Sequence, residues 1–301
     1  MECQGVVFRE HVIPSSPSGP YILVEGPDGA IWFCESLAGQ IGRLDPNDGT
    51  FREYPLPDRD ANPIGIVVGA DGALWFTQKR ANRIGRLTVD GALREFDVPT
   101  PSAGPDAIAL GPDGAVWFAE TDADKIGRIT PDGAITEFSA GITPGSRPLA
   151  MAERDGALWF SEAGGGRIGC IDMQGRVREH PIPSADSQPR ALTAHPNGTI
   201  WFVETNSNAL GCVDRNGNIV EHRVPMPGAS LRGVTVARDG DLWYTANAAN
   251  KVGRMSVDGR PIADYDIPRS SAGARCIMTR SDGRLFFGAF DAGSIFEVVT
   301  S

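Results

Sequence analysis

The chain has 301 residues, 41% of them hydrophobic, and carries 38 acidic against 28 basic side chains for a net charge of −10. That charge repels phosphate backbones and anionic lipid surfaces, so neither a nucleic-acid nor a membrane partner is expected, and no apolar run approaches the roughly 18 residues of a bilayer span. Residues 1–5 lack the basic and apolar stretches of a secretory signal, and five scattered cysteines (Cys3, Cys34, Cys170, Cys212, Cys276) form no CxxC pair, which fits reduced thiols and a cytoplasmic location.

In chain order the first expected strand lies within residues 6–14, where Arg9-Glu10-His11 leads to Pro14. Trp32 then opens a series continued by Trp75, Trp117, Trp159, Trp201 and Trp243, at gaps of 43, 42, 42, 42 and 42 residues; Phe286 follows after another 43. The second copy shows what one repeat contains. Gly65 to Val68 is a short apolar run, Asp71-Gly72 a turn, Leu74 to Thr77 a second run, Ile84 to Leu87 a third, Asp90-Gly91 a turn, and Leu93 to Val98 a fourth. Asp-Gly between apolar runs signals a tight hairpin, here expected to be type I′ with both central residues at positive φ. Four short runs joined this way make an antiparallel meander, and a repeat of this period makes one propeller blade. Seven copies predict a seven-bladed β-propeller of four-stranded blades, filling residues 1–301 as one domain.

The ends of the chain predict how the ring closes. A fourth-strand motif recurs at 52–57, 94–99, 136–138, 178–183, 220–225 and 263–268, and once more at 9–14, before any Trp copy. The seventh copy ends without one. Residues 6–14 are therefore expected to complete the last blade as a latch strand, which removes two exposed edges.

The meander also places two positions of each copy at one mouth of the axial funnel. The residue after Trp-Phe-x reads Glu35, Gln78, Glu120, Glu162, Glu204, Ala246 and Ala289; the residue just before each first strand reads Tyr21, Ile64, Asp106, Leu149, Arg190, Arg232 and Arg275. The glutamates admit two readings, bonds to backbone N–H groups at the strand ends or a cation site. The arginines stand on three consecutive blades and also admit two: recognition of a carboxylate or phosphate, or ion pairs with Glu162 and Glu204. His11, His180 and His222 fall in the outer-strand motif and His195 in a turn at the other end, so a base at the mouth must come from a carboxylate, Tyr21, Lys79 or Cys276.

The phrases Gly111-Pro112-Asp113-Gly114-Ala115-Val116-Trp117-Phe118-Ala119-Glu120, Ile84-Gly85-Arg86 and Arg52-Glu53-Tyr54-Pro55-Leu56-Pro57 resemble the virginiamycin B lyase family, and the likeness runs the length of the chain. The resemblance implies a seven-bladed propeller that opens a cyclic depsipeptide by elimination, with a base removing an α-proton and Mg²⁺ stabilising the developing charge. It also implies where the working residues would sit, and this sequence departs there. The family's histidine before the sixth blade's first strand is Arg232 here, its Glu-Pro-His phrase is Gly273-Ala274-Arg275, and its second metal-binding glutamate is Phe290. No cofactor is therefore expected; the resemblance leaves Mg²⁺ open, but its usual ligands are missing.

Three functions follow as expectations. The first is a lyase-type enzyme on a small anionic molecule, with Glu162, Glu204 and Arg275 as catalytic candidates and Tyr21, Asp106, Arg190, Arg232, Arg275 and Phe290 binding the substrate. The second is a non-catalytic module for a small anion, and the third a protein-binding propeller that uses its outer rim. A monomer is expected in each case.

Overall fold

In the computed structural model, which describes residues 5–300, twenty-eight strands form seven four-stranded antiparallel sheets, each a meander in sequence order. Blades one to six span residues 20–55, 63–97, 105–138, 148–181, 189–223 and 231–266. Blade seven takes its three inner strands from residues 274–300 and its outer strand from Val6–Val12, which pairs with Ser294–Thr300 in register Val6 to Thr300 through Val12 to Ser294. The latch predicted from the motif count is thus present, and Ile13 extends it by a backbone bond to Gly293. Cys3 lies outside the described residues. Cys34, Cys170, Cys212 and Cys276 are free thiols, and no helix of the described residues is long and apolar enough to cross a membrane.

The recurring tryptophans do three things. Each packs between neighbouring blades, with Trp32, Trp75, Trp117 and Trp201 at most 1% exposed. Each faces a ring on its own outer strand, such as Trp75 on Phe96 at 5.7 Å and Trp159 on His180 at 5.4 Å. In blades one to three the indole Nε1 also donates to the turn aspartate, as Trp32 does to Asp28 at 2.9 Å, while the Arg of Ile-Gly-Arg binds the other oxygen, as Arg43 does at 2.7 Å. Asp28, Asp71 and Asp113 therefore hold turn, core and third strand together.

The turns differ in type from the sequence expectation. Around Asp71-Gly72, Gly69 N–H bonds to Ala73 O and Gly72 N–H to Gly69 O, and within this loop only Gly72 has positive φ, at 74°. This is a type I turn followed by a left-handed glycine, a longer loop than type I′. Its Asp stays in ordinary backbone space, which frees the side chain to cap Ala73 N–H and the indole.

Candidate functional site

The innermost strands build the site through a shared irregularity. In blade one Pro20 lies opposite Glu35 and Leu23 opposite Phe33, so Tyr21 and Ile22 together face Cys34. A shift of the same kind occurs in the first strand of blades two to six, and in blade seven Arg275 is the extra residue between Ala274 and Cys276. Such a β-bulge re-aims a side chain. Here it turns Tyr21, Asp106, Leu149, Arg190, Arg232 and Arg275 into one axial channel of about 210 Å³. Blade two is the exception, since Gly65 rather than Ile64 lines the wall. The strands crowd there: a Cβ on Gly65 would lie 2.6 Å from Asp106 O, and one on Gly233 2.9 Å from Cys276 Cα. Buried hydroxyls satisfy the bulged backbone, with Thr77 Oγ1 accepting from Gly65 N–H and donating to Asp106 O, and Thr245 Oγ1 accepting from Gly233 N–H.

The channel has two unlike sides. Blades five to seven contribute three guanidinium groups; among the described residues none forms an ion pair, and Arg190 Nε and Arg275 Nε are buried without a partner. Burial first, and then the neighbouring charges of Arg190 and Arg275, push the pKa of Arg232 down. The ion pairs with Glu162 and Glu204 that the sequence allowed are not made. Arg275 is instead held by rings, its Cζ 3.9 Å from the Phe290 centroid and 5.7 Å from that of Tyr21. Phe290 stands behind Arg275 rather than in the channel wall.

On the other side Asp106 is 7% exposed, and burial raises its pKa against the opposing pull of Lys79 and Arg190. Lys79 Nζ sits 2.5 Å from Asp106 Oδ2. The remaining wall is largely apolar, including Leu23, Ile108, Leu149, Met151 and Ile277. Cys276 also reaches it, but burial pushes its thiol up to about 12, which keeps it protonated at neutral pH. No histidine lines the channel.

Glu162 and Glu204 are not in it either, which corrects their expected position at the mouth. Both are fully buried inside their blades, where Glu162 faces Glu179 and Glu204 faces Glu221 on the outer strand. Desolvation, with the facing carboxylate adding to it, raises each pKa to about 8. Glu35 and Glu120 are placed the same way. The glutamates do not bond backbone N–H groups as one reading held; Glu120, Glu162 and Glu204 instead meet the facing carboxyls of Glu137, Glu179 and Glu221, and Glu204 also meets the Ser207 hydroxyl. The signal that could have found this was the glycine of Ile-Gly-Arg. A Cβ on Gly42 would lie 2.2 Å from Phe33 and 2.6 Å from Glu35 Oε1, so the glycine exists to admit those side chains across the blade face.

The profile of the virginiamycin B lyase family matches residues 2–153 and 142–301. The chain belongs to that family. A streptogramin B lyase structure aligns with a TM-score of 0.93 at 31% identity, covering 98% of each chain. A catalytically inactive virginiamycin B lyase from Staphylococcus aureus, crystallised with quinupristin, aligns equally well at 32% identity over 99% of this chain and 100% of its own. The virginiamycin B lyase of Streptomyces coelicolor is 49% identical over a 41-residue stretch, 14% of each protein and about one repeat.

Family membership raises the question of Mg²⁺, and the residues present do not fit it. A hard divalent cation takes carboxylate and water oxygens. The positions the resemblance points to carry Arg232, Arg275 and Phe290, and the blade-six and blade-seven counterparts of the buried glutamates are Ala246 and Ala289. Among the described residues no group of three or more His, Cys, Asp or Glu is placed to hold a metal. Three cations around the channel would repel a fourth.

Proposed function

We propose that the axial channel binds a small anionic molecule and that the protein acts on it as a lyase-type enzyme without the His/Mg²⁺ machinery of its family. The observation that carries this reading is the set of three guanidinium groups, Arg190, Arg232 and Arg275, converging on one channel with none of them in an ion pair among the described residues, the Asp106 charge reaching only Arg190 from across it. Placing like charges together in a partly buried site is unfavourable unless an anion joins them, and Arg suits a carboxylate or phosphate. The names and whole-length similarity of the relatives support the lyase class.

The chemistry falls to Asp106, since Glu162 and Glu204 lie outside the channel. With the substrate carboxylate held by the arginines, Asp106 takes the proton from the adjacent carbon. The electron pair left behind forms the new double bond as the group on the next carbon departs, and the guanidinium charges stabilise the enolate-like state. Burial raises the affinity of Asp106 for that proton, and Lys79 keeps enough of it ionised to begin.

Calorimetry with small carboxylates and phosphate monoesters, followed by product analysis of those that bind, tests this. Arg232→Ala and Arg275→Ala should each weaken binding at least about tenfold. Asp106→Asn should retain binding and lose turnover; turnover unaffected by this change defeats the assignment of the base. Binding without conversion of any bound anion favours a non-catalytic channel, a reading supported by the close Lys79–Asp106 pair. Quinupristin should emerge unchanged from incubation with or without Mg²⁺, and a ring-opened isomer of equal mass would show that the family reaction survives on other residues.

A further inference from the structure

Three layers of side chains follow one another down the axial channel, each one residue further along the innermost strands. The bulge layer carries Tyr21, Asp106, Arg190, Arg232 and Arg275. Below it comes a belt of small residues, Gly65, Ala107, Ala150, Ala191 and Gly233. The third layer is a ring of aliphatic side chains, Leu23, Ile108, Met151, Leu192, Val234 and Ile277. Beyond that ring Thr193, Thr235 and Thr279 face a separate open hollow of about 400 Å³ at the other end of the axis.

Each layer limits what can occupy it. The bulge layer sets three guanidinium groups against a single carboxylate that is already paired with Lys79, so it favours an anionic head. The belt has little side-chain volume and leaves a chain room to pass from the arginines to the ring. The ring offers no charge and no hydrogen-bond donor, so methylene groups gain by leaving water there. A second carboxylate is disfavoured at both levels. Beside Asp106 it meets a like charge, and in the ring it leaves water with nothing to bond.

We infer that the channel takes a monocarboxylate with an aliphatic chain, its carboxylate among Arg190, Arg232 and Arg275 and its chain running through the belt into the aliphatic ring. The carboxylate head rests on the function proposed above, because the proton that Asp106 takes must lie beside a group able to carry the charge of an enolate-like state. The chain rests on the layers alone. The carbons next to the carboxylate, where that elimination takes place, then lie in the belt, whose small residues leave space for the departing group.

Calorimetry on the full chain with acetate, butyrate and hexanoate, and with the dicarboxylate adipate as the control for hexanoate, tests the inference. Each methylene that enters the ring should tighten binding about three- to fourfold, so hexanoate should bind about tenfold more tightly than butyrate. Adipate, equal in length, should bind at least about tenfold more weakly than hexanoate. Met151→Gln, which puts an amide into the ring at nearly the same volume, should reduce the gain from butyrate to hexanoate. Arg232→Ala should weaken all three monocarboxylates by a common factor and leave that gain intact. Equal affinity for acetate and hexanoate, or adipate as tight as hexanoate, overturns the inference while leaving anion binding in the channel standing. A gain undiminished in Met151→Gln, or hexanoate binding unaltered in Arg232→Ala, puts the chain outside the channel and overturns it as well. If no carboxylate binds, the function proposed above fails and this inference with it.

Discussion

Arg275 lies face-on to Phe290, its guanidinium carbon 3.9 Å from the ring centroid, and Tyr21 meets the same phenyl ring edge-to-face at 5.9 Å. No hydrogen bond or ion pair among the described residues fixes this guanidinium, so the rings set its direction into the channel. Such a contact contributes about 0.5–2 kcal/mol. Phe290→Ala should therefore weaken binding of the best channel anion about 2- to 30-fold while lowering the unfolding midpoint by no more than about 2–6 °C. Phe290→Tyr should restore the affinity. Calorimetry on the two variants checks this, and full affinity in Phe290→Ala would show that the stacking does not position Arg275.

The buried glutamates make stability depend on pH in an unusual direction. Glu35, Glu120, Glu162 and Glu204 have folded-state pKa values of about 8, above the ordinary 4.5, because burial favours their neutral forms. The folded state then holds more protons than the unfolded one between about pH 4.5 and 8, so stability falls as pH rises through that window. Asp28, Asp71 and Asp113 act oppositely. Their hydrogen bonds and paired arginines outweigh burial and lower their pKa, so that contribution is lost only as pH falls below the usual aspartate range. The unfolding midpoint should peak on the acid side of neutrality, near pH 4.5–5.5 by these values, and decline toward pH 9. Glu120→Gln should reduce the decline, a comparison made by calorimetric scans from pH 4 to 9.

What the sequence made legible was the periodic part. The tryptophan spacing predicted seven blades, and one surplus outer-strand motif predicted the latch, because every copy must bury the same face against the same neighbour. The single residues were harder. Asp28 read as a turn former, yet its side chain bonds an indole four residues on and an arginine fifteen residues on, contacts that no local pattern announces. Glu162 was placed at the mouth because it ends a strand there, but strand position does not say which way a side chain leaves the sheet. The arginines did reach the axis, and the bulge that aims them costs one extra residue per strand, which blends into the loop before it and leaves no mark in the repeat length.

Removing the latch should cost more than its own contacts. Residues 6–12 cover the edge of Ser294–Thr300, and Arg9 pairs with Glu297 at 2.9 Å across it. Without them blade seven presents an unpaired, apolar edge beside a ring that is no longer closed. A chain beginning at residue 14 should lose cooperative unfolding and elute as soluble aggregates in size-exclusion chromatography, whereas Arg9→Ala, which removes one half-exposed ion pair, should change stability by at most about 1 kcal/mol. A monodisperse truncated protein with an unchanged midpoint would show that the ring closes without its latch.

The aspartate–tryptophan–arginine triads of blades one to three can be weighed against blade five, which lacks one. In blade two Asp71 accepts from Trp75 Nε1 at 3.1 Å, from Ala73 N–H at 3.1 Å and from Arg86 Nε at 2.7 Å. In blade five the equivalent residue is Asn197, whose side chain serves only Thr199, while Trp201 Nε1 is buried without a partner and Cys212 stands where the arginine would be. Asp71→Ala leaves a buried indole N–H unpaired and strips a charge-assisted bond, a loss of about 2–4 kcal/mol. Asn197→Ala removes turn bonds alone and should cost about 1 kcal/mol. Asp71→Asn, which keeps an acceptor for the indole but not the charge for Arg86, should fall between them. Denaturant melts of the three variants give the ordering directly, and equal losses for Asp71→Ala and Asn197→Ala would mean that the triad adds nothing to the turn itself.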